Sequence, residues 1–180
     1  MDTEFTGLHK NTTLISIGLV SECGKTFYSE FTDFDKTQVD SWIQQNVIDN
    51  LILSIPDGVL TFQATHTPDD FTVKGDKRVI VRFLHAWLSQ FDKIQIISDV
   101  LAYDWVLFCD IFGSTFDIPK NVSYLPLDLA TMFYMKGIDP DINRQEFCGL
   151  KNTQHNALDD AKVIKVCFEK LMEGIKQDDN

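Results

Sequence analysis

The chain has 180 residues, 44% of them hydrophobic, which is enough to bury one sizeable core and excludes global disorder. Its formal net charge of −11 argues against a protein that clamps long nucleic-acid duplexes, because such binding depends on many lysine and arginine contacts to phosphate. No apolar run reaches the roughly 20 residues that a membrane-spanning helix needs, and no secretory leader pattern opens the chain, so we expect a cytoplasmic protein.

The first third of the chain predicts three strands and a helix. Residues 2–8 can run extended, and a turn separates the apolar runs Leu14–Val20 and Thr26–Phe31, so these segments predict an antiparallel meander. Asp35 and Gln38 have the spacing of a capping box, at the start of a helix that ends before Pro56. The apolar residues of that helix recur at helical spacing and are Val39, Trp42, Ile43, Val47 and Leu51.

The middle of the chain predicts a loop, a helix and a buried strand. Residues 54–75 contain Pro56 and Pro68, which favours a long surface loop, and its His66 is expected to be solvated. Asp76 is expected to cap the next helix. Residues 94–98 then predict a short strand parallel to the first one, because a helix intervenes. The apolar stripe of that helix is Val79, Ile80, Phe83, Leu84, Trp87, Leu88 and Phe91.

The last third predicts three helices and one edge strand. Residues 104–112 favour a helix ended by Gly113, residues 124–127 an edge strand, and residues 128–136 a helix ended by Gly137. A closing helix is expected over residues 156–177, with a polar tail at 177–180. This order predicts an α/β domain with a central mixed five-stranded sheet flanked by helices.

Four cysteines are spread along the chain: Cys23, Cys109, Cys148 and Cys167. They include no Cys-x-x-Cys pair, which argues against a zinc site or a disulfide framework. We expect reduced and mostly buried thiols.

The opening stretch holds two acidic residues, Asp2 and Glu4, with one residue between them. In an extended run both side chains project from the same face. Two carboxylates so close must share a proton or hold a cation, and Mg²⁺ or Mn²⁺ prefers such hard oxygen ligands. The alternative is an exposed acidic segment that binds nothing.

Two later acidic motifs favour the cation. His155 and Asp160 lie before or in the first turns of the closing helix, which we expect Asn152 or Thr153 to cap. Asp104 lies between them and the opening pair, at the start of another apolar segment. All of these groups can face one site.

The three motifs, in this order, resemble those of the DEDDh 3′–5′ exonucleases of the ribonuclease H-like superfamily. Asp2 and Glu4 match the first motif, Asp104 the second, and His155 with Asp160 the third. The segments around Asp2 and Asp104 look most like the small exoribonuclease AS-like group of bacteria and phages. The resemblance covers nearly the whole chain and implies one ribonuclease H-like exonuclease domain over residues 1–180.

The resemblance also implies a mechanism with two divalent ions, Mg²⁺ or Mn²⁺. Asp2 would bridge the ions, Glu4 and Asp160 would complete the shell of the first, and Asp104 would hold the second directly or through water. His155 would be the general base that takes the proton of the attacking water. These ions would supply the positive charge that the acidic chain lacks.

The residues after the first motif match the position where the family recognises the terminal nucleotide. Phe5 and Leu8 can stack or wedge against a base, and Thr6 with the backbone at Gly7 can contact the 3′-terminal sugar. Trp105 is a further candidate for stacking, with a core aromatic as its alternative role.

Two features depart from the family pattern. Only Met1 precedes Asp2, whereas family members have several apolar residues there, so the first strand is expected to be short. Asp99 stands where many relatives have asparagine, and it is either an auxiliary acidic group or an exposed loop residue.

The function predicted from sequence is a metal-dependent 3′–5′ exonuclease that releases nucleoside monophosphates from single-stranded RNA or short oligonucleotide 3′ ends. A DNA exonuclease is the nearest alternative. A catalytically impaired nuclease fold that binds nucleotides or a partner is a second, and an acidic interaction domain a third. A homodimer is also an option, since family members often form one.

Overall fold

The protein is described from a computed structural model, in which residues 1–53, 63–150 and 155–178 are described. It is an α/β domain with a mixed sheet flanked by helices, as the sequence predicts. The strands are β1 (Asp2–Phe5), β2 (Leu14–Val20), β3 (Thr26–Phe31), β4 (Gln63–His66), β5 (Asp70–Gly75), β6 (Ile97–Ser98) and β7 (Leu127–Asp128). The α-helices are α1 (Ser41–Asn46), α2 (Lys77–Leu88), α3 (Ala102–Phe112), α4 (Leu129–Met135), α5 (Arg144–Cys148) and α6 (Ala157–Asp178).

The main sheet has the strand order β1-β2-β3-β5-β4. The predicted antiparallel meander of β1, β2 and β3 is confirmed, and β5 then pairs in parallel with β3. Strands β6 and β7 form a separate parallel pair. Met1 joins the two sheets, because its α-ammonium donates a hydrogen bond of 2.8 Å to the Ile97 carbonyl and the Ser98 hydroxyl donates one of 2.9 Å to the Met1 carbonyl.

The prediction of a long loop over residues 54–75 is wrong for its second half. Residues 63–75 form the β4–β5 hairpin, while residues 54–62 and the His66 side chain lie outside the described part of the chain. Strand β5 is stabilised by its pairing with β3, a tertiary contact that overrides the turn-forming composition of the segment. Two of the five strands predicted for the main sheet, at residues 94–98 and 124–127, belong instead to the β6–β7 pair.

The prediction for the first helix is also partly wrong. Asp35 caps only a 3₁₀ turn at Lys36–Gln38, whereas the cap of α1 is Asp40, whose side chain accepts a hydrogen bond from the Ile43 amide. The short α1 therefore begins later than predicted, and Trp42 is 54% exposed instead of buried. Beyond α1, helices α2, α3, α4 and α6 fall where the sequence places them, although α6 continues to Asp178 through the start of the predicted polar tail.

The two faces of the sheet pack against different helices. Ile17, Phe27 and Val73 enter a buried core that contains the apolar stripe of α2 and the inner face of α3. Adjacent residues of a strand point to opposite faces, so Gly18 faces away from that core. The backbone of α6 begins directly over Gly18.

Gly18 allows α6 to approach the sheet closely. A Cβ atom at this position would lie 2.2 Å from the Ala157 carbonyl oxygen and 2.5 Å from the Leu158 Cα. Both are backbone atoms, so a larger side chain cannot be accommodated by a rotamer change. The start of α6 is thereby fixed against β2, and Gly18 pairs in register with Asp2 of β1.

We predict that Gly18→Ala destabilises the protein by about 1–3 kcal/mol, because the added methyl group forces α6 away from β2. Urea unfolding followed by circular dichroism measures the change. Ser16→Ala is the matched control on the same strand face, since its buried hydroxyl has no partner among the described residues, and it should be close to neutral. Equal stability of the Gly18→Ala variant and the wild type would contradict the close approach.

Candidate active site

Three acidic side chains converge on the α6 face of the sheet. One carboxylate oxygen each from Asp2, Glu4 and Asp160 lies within 4.8 Å of the other two. The register of β1 and β2 sets Asp2 opposite Gly18 and Glu4 opposite Ser16, so both carboxylates point toward α6. The expected common face of Asp2 and Glu4 is therefore present.

The start of α6 fixes the third member of this cluster. The Asn156 side chain accepts hydrogen bonds from the amides of Leu158 and Asp159 at 3.2 and 3.3 Å, and so caps the helix. The expected caps at residues 152 and 153 lie outside the described residues. The His155 amide donates a 3.0 Å hydrogen bond to the Asp160 carboxylate. This hydrogen bond orients the Asp160 carboxylate toward β1.

The clustered carboxylates hold their protons more tightly than ordinary acids. Burial and, after it, the charge of Asp160 raise the pKa of Glu4 to about 8. Burial likewise raises the pKa of Asp160 to about 6. The pKa of Asp2 is raised well above its usual value by burial, then by the charges of Asp104, Glu4 and Asp160.

This cluster fits a divalent cation. Hard oxygen donors from three carboxylates suit Mg²⁺ or Mn²⁺, and a bound cation would relieve the repulsion that, after burial, raises the pKa values of Asp2 and Glu4. Within residues 1–53, 63–150 and 155–178, no other group of three acidic, histidine or cysteine side chains brings its ligand atoms within 4.8 Å of one another.

Asp104 lies close to the cluster but points elsewhere. The hydroxyls of Thr3 and Ser98 hydrogen-bond its two carboxylate oxygens. Thr3 alternates with Asp2 and Glu4 along β1, so it faces α3 and draws Asp104 to the opposite side of the strand. Burial raises the pKa of Asp104, and the two hydroxyls act in the opposite direction. Of the four predicted metal ligands, the structure thus brings three together and holds the fourth nearby.

His155 lines the same pocket as the cluster. This pocket has a volume of about 340 Å³, and its walls include Asp2, Asp160 and His155. His155 adopts a left-handed backbone conformation with φ of 60°, which is uncommon for a residue other than glycine. Its ring makes an edge contact with Trp42, with centroids 5.1 Å apart.

Sequence reasoning missed Trp42 as a functional candidate. Its helical spacing indicated a core position, but more than half of its side chain is exposed and its ring lies against His155. The signal that could have revealed it is Asp40, a typical helix cap, which marks a helix of only six residues in which Ile43 is the buried residue.

Asp99 and Arg144 form an ion pair at the wall of this pocket. The Arg144 guanidinium donates to both Asp99 carboxylate oxygens, at 2.7 and 2.9 Å, and packs over the Phe133 ring at 4.5 Å. Asp99 is therefore neither an exposed loop residue nor a member of the three-carboxylate cluster. It ties the end of β6 to the start of α5.

The residues predicted to contact the nucleotide differ in how far their side chains are exposed to solvent. Phe5 stacks on Tyr103 at 5.3 Å, and the buried Thr6 hydroxyl accepts a 2.8 Å hydrogen bond from the Thr13 amide. Gly7 has φ of 150°, and the Leu8 side chain is 78% exposed. Leu8 is thus the residue of this stretch whose side chain remains open to a ligand.

Trp105 packs against the core of the domain. Its ring stacks on Phe108 at 5.6 Å and packs against the core between the sheet and α2. Its position favours a structural role in α3.

Comparisons with known proteins identify the family of this chain. Residues 1–172 match the 3′-5′ exoribonuclease Rv2179c-like domain. The chain belongs to that family. A 3′-5′ exoribonuclease of the same name from Mycobacterium tuberculosis strain H37Rv is 26% identical over 136 residues, which is 76% of this chain and 73% of the relative. Its counterpart from strain CDC 1551 matches equally.

Among the residues that the structure describes, no helix combines the length and the apolar character needed to cross a bilayer.

The raised pKa of Glu4 predicts a pH-dependent stability in the presence of a chelator. The folded protein holds the Glu4 proton up to about pH 8, whereas the unfolded chain releases it near pH 4.5, so this contribution to stability is lost as the pH rises between these values. Glu4→Gln should therefore raise the free energy of unfolding at about pH 8 by roughly 2–4 kcal/mol and have little effect below about pH 4.5.

Chemical unfolding of wild type and Glu4→Gln across this pH range measures the effect. Glu22→Gln is the control, because Glu22 is exposed and away from the cluster, and it should leave the profile unchanged. A gain for Glu4→Gln that is the same at every pH would show that the raised pKa of Glu4 is not its source.

Proposed function

We propose that the protein is a metal-dependent 3′–5′ exoribonuclease that removes nucleoside monophosphates from the 3′ ends of single-stranded RNA. The observation that carries the proposal is the convergence of Asp2, Glu4 and Asp160, in a chain that belongs to a 3′-5′ exoribonuclease family. The resemblance to DEDDh enzymes with a ribonuclease H-like fold supports the same assignment.

Asp2, Glu4 and Asp160 would hold a divalent cation, Mg²⁺ or Mn²⁺. When bound, the ion lowers the pKa of a water molecule and neutralises charge on the phosphoryl oxygens. The three carboxylates would hold it on the α6 face, and because the pKa of Glu4 is raised to about 8, binding at neutral pH would displace the Glu4 proton. Asp104 would hold a second ion through water, since hydroxyls already hydrogen-bond its own oxygens.

His155 would act as the general base. Its position on the pocket wall, which Asp2 and Asp160 also line, supports this role, because the imidazole could take a proton from a water molecule held at the carboxylates. The contact with Trp42 limits the rotation of the ring. The backbone of His155 meanwhile orients Asp160, so one residue would organise both the base and a metal ligand.

Exposed apolar side chains near the site would bind the terminal nucleotides. Trp42 presents an open ring beside His155, and Leu8 follows the first acidic motif with its side chain exposed. Stacking on an aromatic ring tolerates any base and needs no positive charge, which suits a protein with a net charge of −11. The substrate that fits is a short, single-stranded 3′ end.

The central prediction is that Asp160→Asn lowers kcat on RNA by about a thousandfold or more, because it weakens the hold on a catalytic cation. Asparagine keeps an oxygen that can accept the hydrogen bond of the His155 amide. Asp159→Asn is the matched control on the adjacent position of α6, where the carboxylate pairs with Lys162 at 2.7 Å, and it should retain activity within a few-fold.

The assay follows 5′-labelled RNA and DNA oligomers with Mg²⁺, Mn²⁺ or EDTA. A ladder that shortens from the 3′ end and disappears in EDTA is the expected result. Internal cleavage, or equal rates in EDTA, would overturn the proposal. Faster degradation of DNA than of RNA would make DNA the preferred substrate. Binding of RNA without turnover by the wild type would favour the impaired nuclease fold.

A second prediction concerns Trp42. Trp42→Ala should raise KM for RNA by roughly 5- to 150-fold, the range expected when one base loses an aromatic stacking partner. Phe116→Ala removes an aromatic side chain that is 99% exposed and absent from the pocket walls, so its KM should equal that of the wild type. A Trp42→Ala variant with reduced kcat and unchanged KM would instead assign Trp42 to the positioning of His155.

A further inference from the structure

Two of the four cysteines meet next to the candidate active site. Cys148 is the last residue of α5 and Cys167 lies within α6, and their sulfur atoms are 3.0 Å apart. Both are free thiols in this structure. A disulfide bond requires a sulfur separation of about 2.05 Å, so a shift of about 1 Å would join them.

The surroundings hold the two thiols in this arrangement. The Cys148 thiol donates to the Val163 carbonyl of α6 at 3.5 Å, and the Cys167 thiol donates to the Arg144 carbonyl of α5 at 3.7 Å. Each thiol thus contacts the backbone of the other's helix. The apolar side chains around them, Phe133 among them, belong to one buried cluster, so rotation away from each other would disturb packing.

We propose that Cys148 and Cys167 are an oxidative modification site, at which a low-molecular-weight disulfide converts the two thiols into an intramolecular disulfide bond. The Cys148 thiolate attacks one sulfur of the small disulfide, forms a mixed disulfide and releases one small thiol. Cys167 then loses its proton and attacks the Cys148 sulfur, which releases the second small thiol. The protein loses two electrons and two protons, and the oxidant gains them.

The order of these two steps follows from exposure. Cys148 is half-buried and can be reached from solvent, whereas Cys167 is fully buried. Burial and the neighbouring Cys148 sulfur also raise the pKa of the Cys167 thiol, so Cys167 rests protonated and acts second. Cys148 is therefore the entry point for the oxidant.

The cross-link would enclose the third motif. The chain between Cys148 and Cys167 contains both His155 and Asp160, and the pocket beside them is walled by residues of α5 and α6. A disulfide would join these two walls covalently and enclose the motif in a covalent ring. Closing a loop of this length is expected to raise the Tm by about 5–10 °C.

The test uses the full chain with Cys23→Ser, because Cys23 is exposed and would itself react with the oxidant. The protein is incubated with oxidised glutathione, remaining thiols are alkylated, and peptides are mapped by mass spectrometry without reduction. We expect a Cys148–Cys167 linked peptide, a loss of about 2 Da from the intact protein and the predicted rise in Tm, all reversed by dithiothreitol. Cys148→Ser should prevent both the link and any glutathione adduct at Cys167.

Two results would overturn the proposal. One is quantitative alkylation of both cysteines after oxidation of the folded protein. The other is a stable glutathione adduct on Cys148 without the internal link, which would show that Cys167 cannot reach it. Cys109→Ser serves as the control, since Cys109 is buried in the core between the sheet and α2, and its loss should leave the link intact. These readouts do not depend on nuclease activity.

Discussion

The contact between the first turn of α6 and Gly18 is the constraint on which the rest of the site depends. It allows the helix backbone to rest directly on β2, with no side chain between them. Because Asp2 pairs with Gly18 across the sheet, the same contact sets the distance between the helix and the two acidic residues of β1. The Asn156 cap and the His155 amide then orient Asp160 within that fixed frame. The absence of a side chain at Gly18 thus determines where the carboxyl groups of Asp2, Glu4 and Asp160 meet.

The electrostatics of the site follow from this geometry. Burial is the main cause of the raised pKa values of Glu4, Asp2 and Asp160, and repulsion between the carboxylates adds to it for Glu4 and Asp2. The Met1 α-ammonium acts in the opposite direction on Asp2, and Arg144 at the pocket wall is engaged by Asp99. A site of this kind destabilises the folded protein but favours the binding of a cation, and this combination is typical of functional sites.

The sequence predicted those parts of the fold that local pattern controls. The periodicity of apolar residues predicts strands β2 and β3, the apolar stripe of α2 and the long α6. The alternation of side chains along a strand predicts that Asp2 and Glu4 lie on the same face of β1. Tertiary contacts decided the rest. β5 exists because β3 pairs with it, and Asp104 points to Thr3 and not to the cluster because α3 packs on the other face of β1. The approach of Cys148 to Cys167 likewise has no local signature.

The two halves of the carboxylate cluster come from distant parts of the chain. Asp2 and Glu4 pair locally with β2, but Asp160 reaches them only when α6 docks on a sheet that is already formed. Contacts of such high sequence separation close late in folding, because they require the largest loss of chain entropy. A nascent or partly folded chain therefore cannot assemble the carboxylate cluster. On a ribosome, the three carboxyl groups would come together only after α6 has been synthesised and has docked on the sheet.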